Sequence, residues 1–220
     1  MSEVGTQTKP TIETAADMGS KQDVLDFLVT QEQLGVTLVG AAIQNAPGTP
    51  SEGFLPVLKN VVTTEYHHVE PLKKAGGEPL TTSYWFPDAA FGDGGIGLFE
   101  TIELVETIEV SLYLIGVSAF AREGDDFGAR LCAEAMGTEA VHRALARFAQ
   151  GELGNKEIGA PNDEGFENFD WPTLAKVRQS LEDLGIGYGT ESSQPGKFYE
   201  FPGDPLASGV GTPVNHSKPA

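Results

Sequence analysis

Cys132 is the only cysteine in the 220-residue chain. That excludes an intrachain disulfide, a cysteine-based zinc knuckle and a cysteine-bound iron–sulfur cluster. Its apolar helical surroundings mark it as a buried, inert thiol. Basic residues are scarce too: fourteen Lys and Arg stand against thirty-two Asp and Glu, a formal charge of −18. A surface so negative repels nucleic acid and anionic lipid and attracts cations, so neither nucleic acid nor membrane is expected as a partner. Long hydrophobic runs are missing as well. The most apolar stretch, Leu98 to Ala121, is interrupted by Glu100, Glu103, Glu106 and Glu109, which argues against a membrane span. The N-terminal residues hold no apolar core of the kind a signal peptide needs. A cytoplasmic location is the expectation.

What remains is an ordinary globular composition, 40% hydrophobic, sufficient for one core. Residues 1–21 are polar and read as a flexible N-terminal arm. Apolar residues at helical spacing predict four long helices, over about 22–45, 52–73, 98–121 and 127–150. Asn45-Ala-Pro-Gly-Thr-Pro stops the first and Arg122-Glu-Gly-Asp-Asp the third, so each flanking pair forms an antiparallel hairpin. The connection between the second and third helices is roughly twenty residues, far beyond the two to eight usual in bundles. Extended at about 3.3 Å per residue, it can run the length of a helix and set the two hairpins in parallel. The resulting fold class is all-α: a four-helix bundle over 22–151 with one long crossover. Residues 152–220 form an irregular, Pro/Gly-rich extension with one short helix, Trp171 to Leu184. Phe166, Phe169, Trp171, Phe198, Tyr199 and Phe201 equip that extension either to pack on the bundle or to mediate assembly.

Of four histidines, two follow a glutamate by three residues, in Glu65-Tyr-His-His68 and Glu139-Ala-Val-His142. That spacing puts both side chains on one helix face. Glu32 and Glu65 are 33 positions apart with their midpoint in the first turn; Glu106 and Glu139 are also 33 apart, with theirs in the second. Each hairpin thus sets one carboxylate level with one Glu-x-x-His. Four carboxylates and two imidazoles facing one another are the ligand set of di-iron and di-manganese carboxylate bundles. Glu32, Glu65, His68, Glu106, Glu139 and His142 are therefore the candidate metal ligands. Glu103, one turn before Glu106, is an alternative or additional ligand. His67 points about 100° away from His68 and is not one. Glu109, taken alone, reads as a solvated glutamate. Tyr113, seven after Glu106, reads as a core aromatic with its hydroxyl satisfied.

With Gln31-Glu-Gln-Leu-Gly, Glu65-Tyr-His-His, the Glu103/Glu106 helix and Glu139-Ala-Val-His142, the chain resembles the ferritin-like superfamily, in the type shared by desiccation-related proteins and, more distantly, rubrerythrin. The resemblance covers about residues 22–151. It implies that Glu65 and Glu139 bridge two metal ions and carry the catalysis, that Glu32 and Glu106 are terminal carboxylates, and that His68 and His142 bind one metal each. The implied cofactor is a pair of iron ions, with manganese served by the same ligands. The implied activity is oxidation of Fe(II) by O2 or H2O2, and the alternative is a structural or stress-protective protein that binds divalent metal without turnover. A rubrerythrin-type rubredoxin module is excluded by the single cysteine. The extension has no counterpart in storage ferritins. A homodimer is the default assembly.

Overall fold

The first long helix, α1 (Lys21–Asn45), opens on a capping box: the Ser20 hydroxyl accepts from the Asp23 amide while the Asp23 carboxylate accepts from the Ser20 amide. Two orphan amides are satisfied reciprocally, which fixes where the helix begins. The computed structural model describes residues 18–167 and 169–220; the expected N-terminal arm falls, over residues 1–17, outside them. After α1 a turn containing Gly48 at φ +80° leads through a 3₁₀ turn (Pro50–Phe54) into α2 (Leu55–Lys74). Two further long helices, α3 (Ile96–Arg122) and α4 (Asp126–Glu152), are joined by a tight turn in which Gly124 takes φ +72° and the Asp125 carboxylate caps α4 through the Gly128 amide.

The described chain is mostly helical. α1 packs along α2 and α3 along α4, α1 lies against α3, and α2 and α4 meet only sparsely. One core cluster, built on Leu25, Leu28, Leu34, Ile108 and Leu112, fills one end of the helical body. A second, on Val36, Val39, Val62, Leu98 and Ile102, fills the other. By length and composition α3 could cross a membrane, but 67% of that apolar window is buried within the fold, as in the core helix of a soluble protein. Buried methyl(ene) groups at about 0.8 kcal/mol each supply most of the drive for this packing.

The crossover and the extension depart from the irregular structure expected of them. Ser83–Pro87 in the crossover forms a strand, β1, and the extension supplies β2 (Gly187–Tyr188) and β3 (Gly196–Glu200). The three make an antiparallel sheet in the order β2-β1-β3, with Tyr84 opposite both Tyr188 and Tyr199. Tyr84 and Phe86 alternate with Trp85 and point into the core, while Trp85 meets Phe198 edge-on at 5.1 Å on the other face. The pairing joins segments about a hundred residues apart, so no hairpin signal announces it. The short helix, α5, spans Leu174–Asp183, because Thr173, whose hydroxyl accepts from the Lys176 amide, is its N-cap. Its Val177 and Leu181 are fully buried, and the extension is thereby sewn onto the helices.

Candidate metal centre

Each long helix sends carboxylate or imidazole groups to one level of the interior. Glu32 comes from α1, Glu65 and His68 from α2, Glu106 from α3, Glu139 and His142 from α4. All but His68 are buried, and Glu65 and Glu139 have no exposed surface at all. Glu65, Glu106, Glu139 and His142 offer ligand atoms within 4.8 Å of one another, and so do Glu32, His68 and Glu139. The six residues selected by spacing thus fall into two groups with Glu139 in common. Glu65, expected to bridge, stands with the His142 group. Between Glu103 and Glu106 the structure brings Glu106 into the cluster. Glu103 accepts instead from Gln150 Nε2 at 2.5 Å and from Arg147 at 3.5 Å.

His142 Nδ1 lies 2.6 Å from Glu65 Oε1, 3.0 Å from Glu139 Oε2 and 3.5 Å from Glu106 Oε2. His68 Nδ1 lies 2.8 Å from Glu139 Oε1 and 3.2 Å from Glu32 Oε2. These are close approaches, yet both oxygens of Glu65 and of Glu139, Glu106 Oε2 and His142 Nδ1 are buried without an aligned hydrogen bond among the described residues. Buried polar atoms are nearly always paired. Here carboxylates and imidazoles converge on a shared space, an arrangement that a cation, or protons held on the imidazoles, would satisfy.

Two details hold the groups in that posture. The Thr64 hydroxyl donates to the Val61 carbonyl at 2.8 Å, so it is left to accept from His142 Nε2–H, also at 2.8 Å. In the neutral ring this puts the proton on Nε2 and leaves Nδ1 bare toward the carboxylates, as a metal-binding histidine requires. Gly35, on α1, makes room for Glu65: a Cβ there would stand 2.6 Å from Glu65 Oε2.

Two residues were underread in the sequence. Glu109 is not solvated. It is buried beside the cluster, and neither of its oxygens has a hydrogen-bond partner among the described residues. The available signal was Glu106-x-x-Glu109, the same three-residue spacing that puts Glu65 and His68 on one face. Tyr113 is a core aromatic as expected, but its hydroxyl is satisfied by the site itself: it donates to Glu32 Oε1. His67, expected to point elsewhere, belongs to neither group of ligand atoms.

Metal-free, this cluster is electrostatically strained. Burial pushes the carboxyls of Glu65 and Glu109 well above the usual range, and the neighbouring carboxylates add to it. Burial likewise lifts Glu106 to about 7 against the opposing pull of His142. Burial would raise Glu139 as well, but His68 and His142 outweigh it and hold it at about 2. Both imidazoles, in spite of burial, are drawn well above their ordinary value by the facing carboxylates. Charges packed this way require a compensating cation or retained protons. The two groups of Glu and His residues could hold metal ions: their donors are carboxylate oxygens and imidazole nitrogens, the kind that suits iron or manganese, and neither group includes a thiolate. Comparison with family models, with curated proteins and with solved structures finds no significant match to the chain.

Proposed function

We propose that the chain is a ferritin-like four-helix bundle housing a di-metal carboxylate centre, and that it oxidises Fe(II) with O2 or H2O2 as an iron- or peroxide-detoxifying oxidoreductase of the cytoplasm. The observation that carries the reading is a cluster of buried carboxylate oxygens and the His142 Nδ1 that have no aligned hydrogen bond among the described residues, contributed by α2, α3 and α4, with Glu32 of α1 in the adjoining group. A charged group buried without a partner costs several kcal/mol. A fold that gathers five glutamates in its core calls for positive charge to offset them.

In this reading Glu139 is shared between two ion positions. Glu65, Glu106 and His142 complete one, and Glu32 and His68 complete the other. Glu109 stands by as a further carboxylate of the His142 side. When bound, the ions supply two one-electron reductants at fixed spacing, enough to take hydrogen peroxide and two protons to two waters. The protein's own part is positional and electrostatic. Thr64 locks the His142 tautomer, Tyr113 holds Glu32 through one oxygen, and the apolar clusters above and below exclude bulk water.

Metal analysis of purified protein should return two equivalents of iron or manganese per chain. Stopped-flow absorbance should show rapid oxidation of added Fe(II), slowed strongly in Glu65→Ala and His142→Ala. Rates in both variants equal to the parent's would sink the enzymatic reading. A protein carrying no metal after anaerobic incubation with Fe(II) would leave only a scaffold role.

A further inference from the structure

Between α2 and α4, where the two helices meet least, lies a cavity of about 110 Å³. Its inner end is formed by His68 and Tyr113, and its walls by Thr64 and His67 of α2 and Glu134 and Thr138 of α4. Of the six candidate ligands His68 alone lines it: the His68 side chain keeps 16% exposure, whereas His142 keeps 4%. Across its mouth lie His216–Pro219. This strap is fastened to α4 at its end: the Ala220 amide donates to Glu134 Oε2 at 2.8 Å, and Arg130 Nη2 donates to the Ala220 main-chain oxygen at 2.6 Å.

We propose that this cavity is the route by which oxidant reaches the centre and that the strap 216–220 sets its size limit, selecting small hydroxylic molecules of the hydrogen peroxide class over organic hydroperoxides. The inference rests on the di-metal reading above. Size carries the first half of the argument. At roughly 30 Å³ per water the space holds a few small molecules, well short of the roughly 300 Å³ at which pockets begin to take organic ligands. Chemistry carries the second. Thr64, His68, Glu134 and Thr138 place donors and acceptors on walls otherwise formed by Pro71, Leu72, Leu131 and Ala135. A hydroxylic guest can satisfy such groups, and an apolar one cannot. The sparse α2–α4 contact leaves the strap as the principal cover over His68.

Cobalt(II)-loaded full-length protein tests this without turnover. Two Co(II) equivalents are bound, azide binding is followed by visible absorption, and removal of the ion by the bulkier chelator pyridine-2,6-dicarboxylate is timed. Arg130→Ala/Glu134→Ala, which frees the strap without changing net charge, should speed removal by the chelator about tenfold while changing azide binding little, as expected for a cover that gates by size. Thr138→Trp, which fills the cavity, should slow both, and Leu131→Ala, which widens the same wall, should speed the chelator. Parent-like chelator rates in the double variant overturn the strap. Parent-like rates in Thr138→Trp, or in Leu131→Ala if the tryptophan variant does not fold, overturn the route. Failure of the parent to bind Co(II) at all would instead remove the metal reading, and this inference with it.

Discussion

The two halves of the centre use the same residue types and differ in their surroundings. On the His142 side the imidazole is 4% exposed, faces three carboxylates and has its outer nitrogen bound to Thr64. On the His68 side the ring is 16% exposed, faces two carboxylates and borders a cavity. In the proposed reading one half holds an ion, and the other holds one and meets a small molecule. Glu139, common to both groups, makes the halves dependent on one another.

The severest way to break the comparison is to remove what the halves share. Glu139→Ala should abolish both metal equivalents, whereas Glu32→Ala should cost only the His68-side ion. Titration with Fe(II) or Mn(II) under anaerobic conditions distinguishes zero, one and two sites. Equal losses in both variants would mean that the halves are not separable.

A smaller effect should come from the support behind one ring. Thr64→Val removes the acceptor for His142 Nε2–H, and loss of such an outer partner typically weakens metal binding by roughly 10- to 100-fold. The weakening should fall on the His142-side ion alone. Isothermal titration should then show one step displaced and the other unmoved.

Acidity sharpens the contrast between the empty and filled states. In the metal-free protein Glu32, Glu65, Glu106, Glu109, His68 and His142 all carry folded-state pKa values raised above their ordinary ones. The native state therefore binds more protons than the unfolded chain, and stability falls as pH rises from about 4.5 through the Glu106 value of about 7 and beyond. Glu139, held low, acts oppositely, but its window lies below 4.5. Metal reverses the slope, because bound ions displace those protons and are lost as pH falls. Thermal melts of metal-free protein should show a higher midpoint at pH 5.5 than at pH 8, and melts with Mn(II) the reverse. The same slope with and without metal would show that the cluster is not where the ions bind.

Much of this was legible in the chain because the relevant signals are local or symmetric. Helical periodicity marks α1 to α4, and two equal 33-residue spacings mark Glu32, Glu65, Glu106 and Glu139 before any contact is known. Glu103 and Glu106 are one turn apart on nearly the same face. Partners remote in sequence, Arg147 and Gln150 on α4, are what draw Glu103 away. Glu109 escaped because a lone glutamate in so acidic a chain reads as solvated, although its spacing from Glu106 repeats that of the Glu-x-x-His pairs. The sheet escaped for a different reason. Tyr84 pairs with Tyr188 and Tyr199, and strand pairing over that separation depends on how the helices have already placed the crossover.

The gentlest probe is Tyr113→Phe, since it removes one hydroxyl and leaves the core volume almost unchanged. Tyr113 donates to Glu32 Oε1, and Glu32 keeps its other oxygen near His68 Nδ1 at 3.2 Å. Loss of a buried hydrogen bond that leaves its acceptor in place costs about 1–3 kcal/mol, the upper end when the acceptor is charged. Burial raises the Glu32 carboxyl against the pull of His68; the hydroxyl removed is a single donor, and a destabilisation of about 1–3 kcal/mol is expected in the metal-free protein. Chemical denaturation measures it directly. The variant should also loosen the His68-side ion a few-fold, because Glu32 would lose a restraint on its orientation, and leave the His142-side ion untouched. A loss felt equally on both sides would mean that Tyr113 acts through the core as a whole, and the asymmetry of the two halves would then lie only in their exposure.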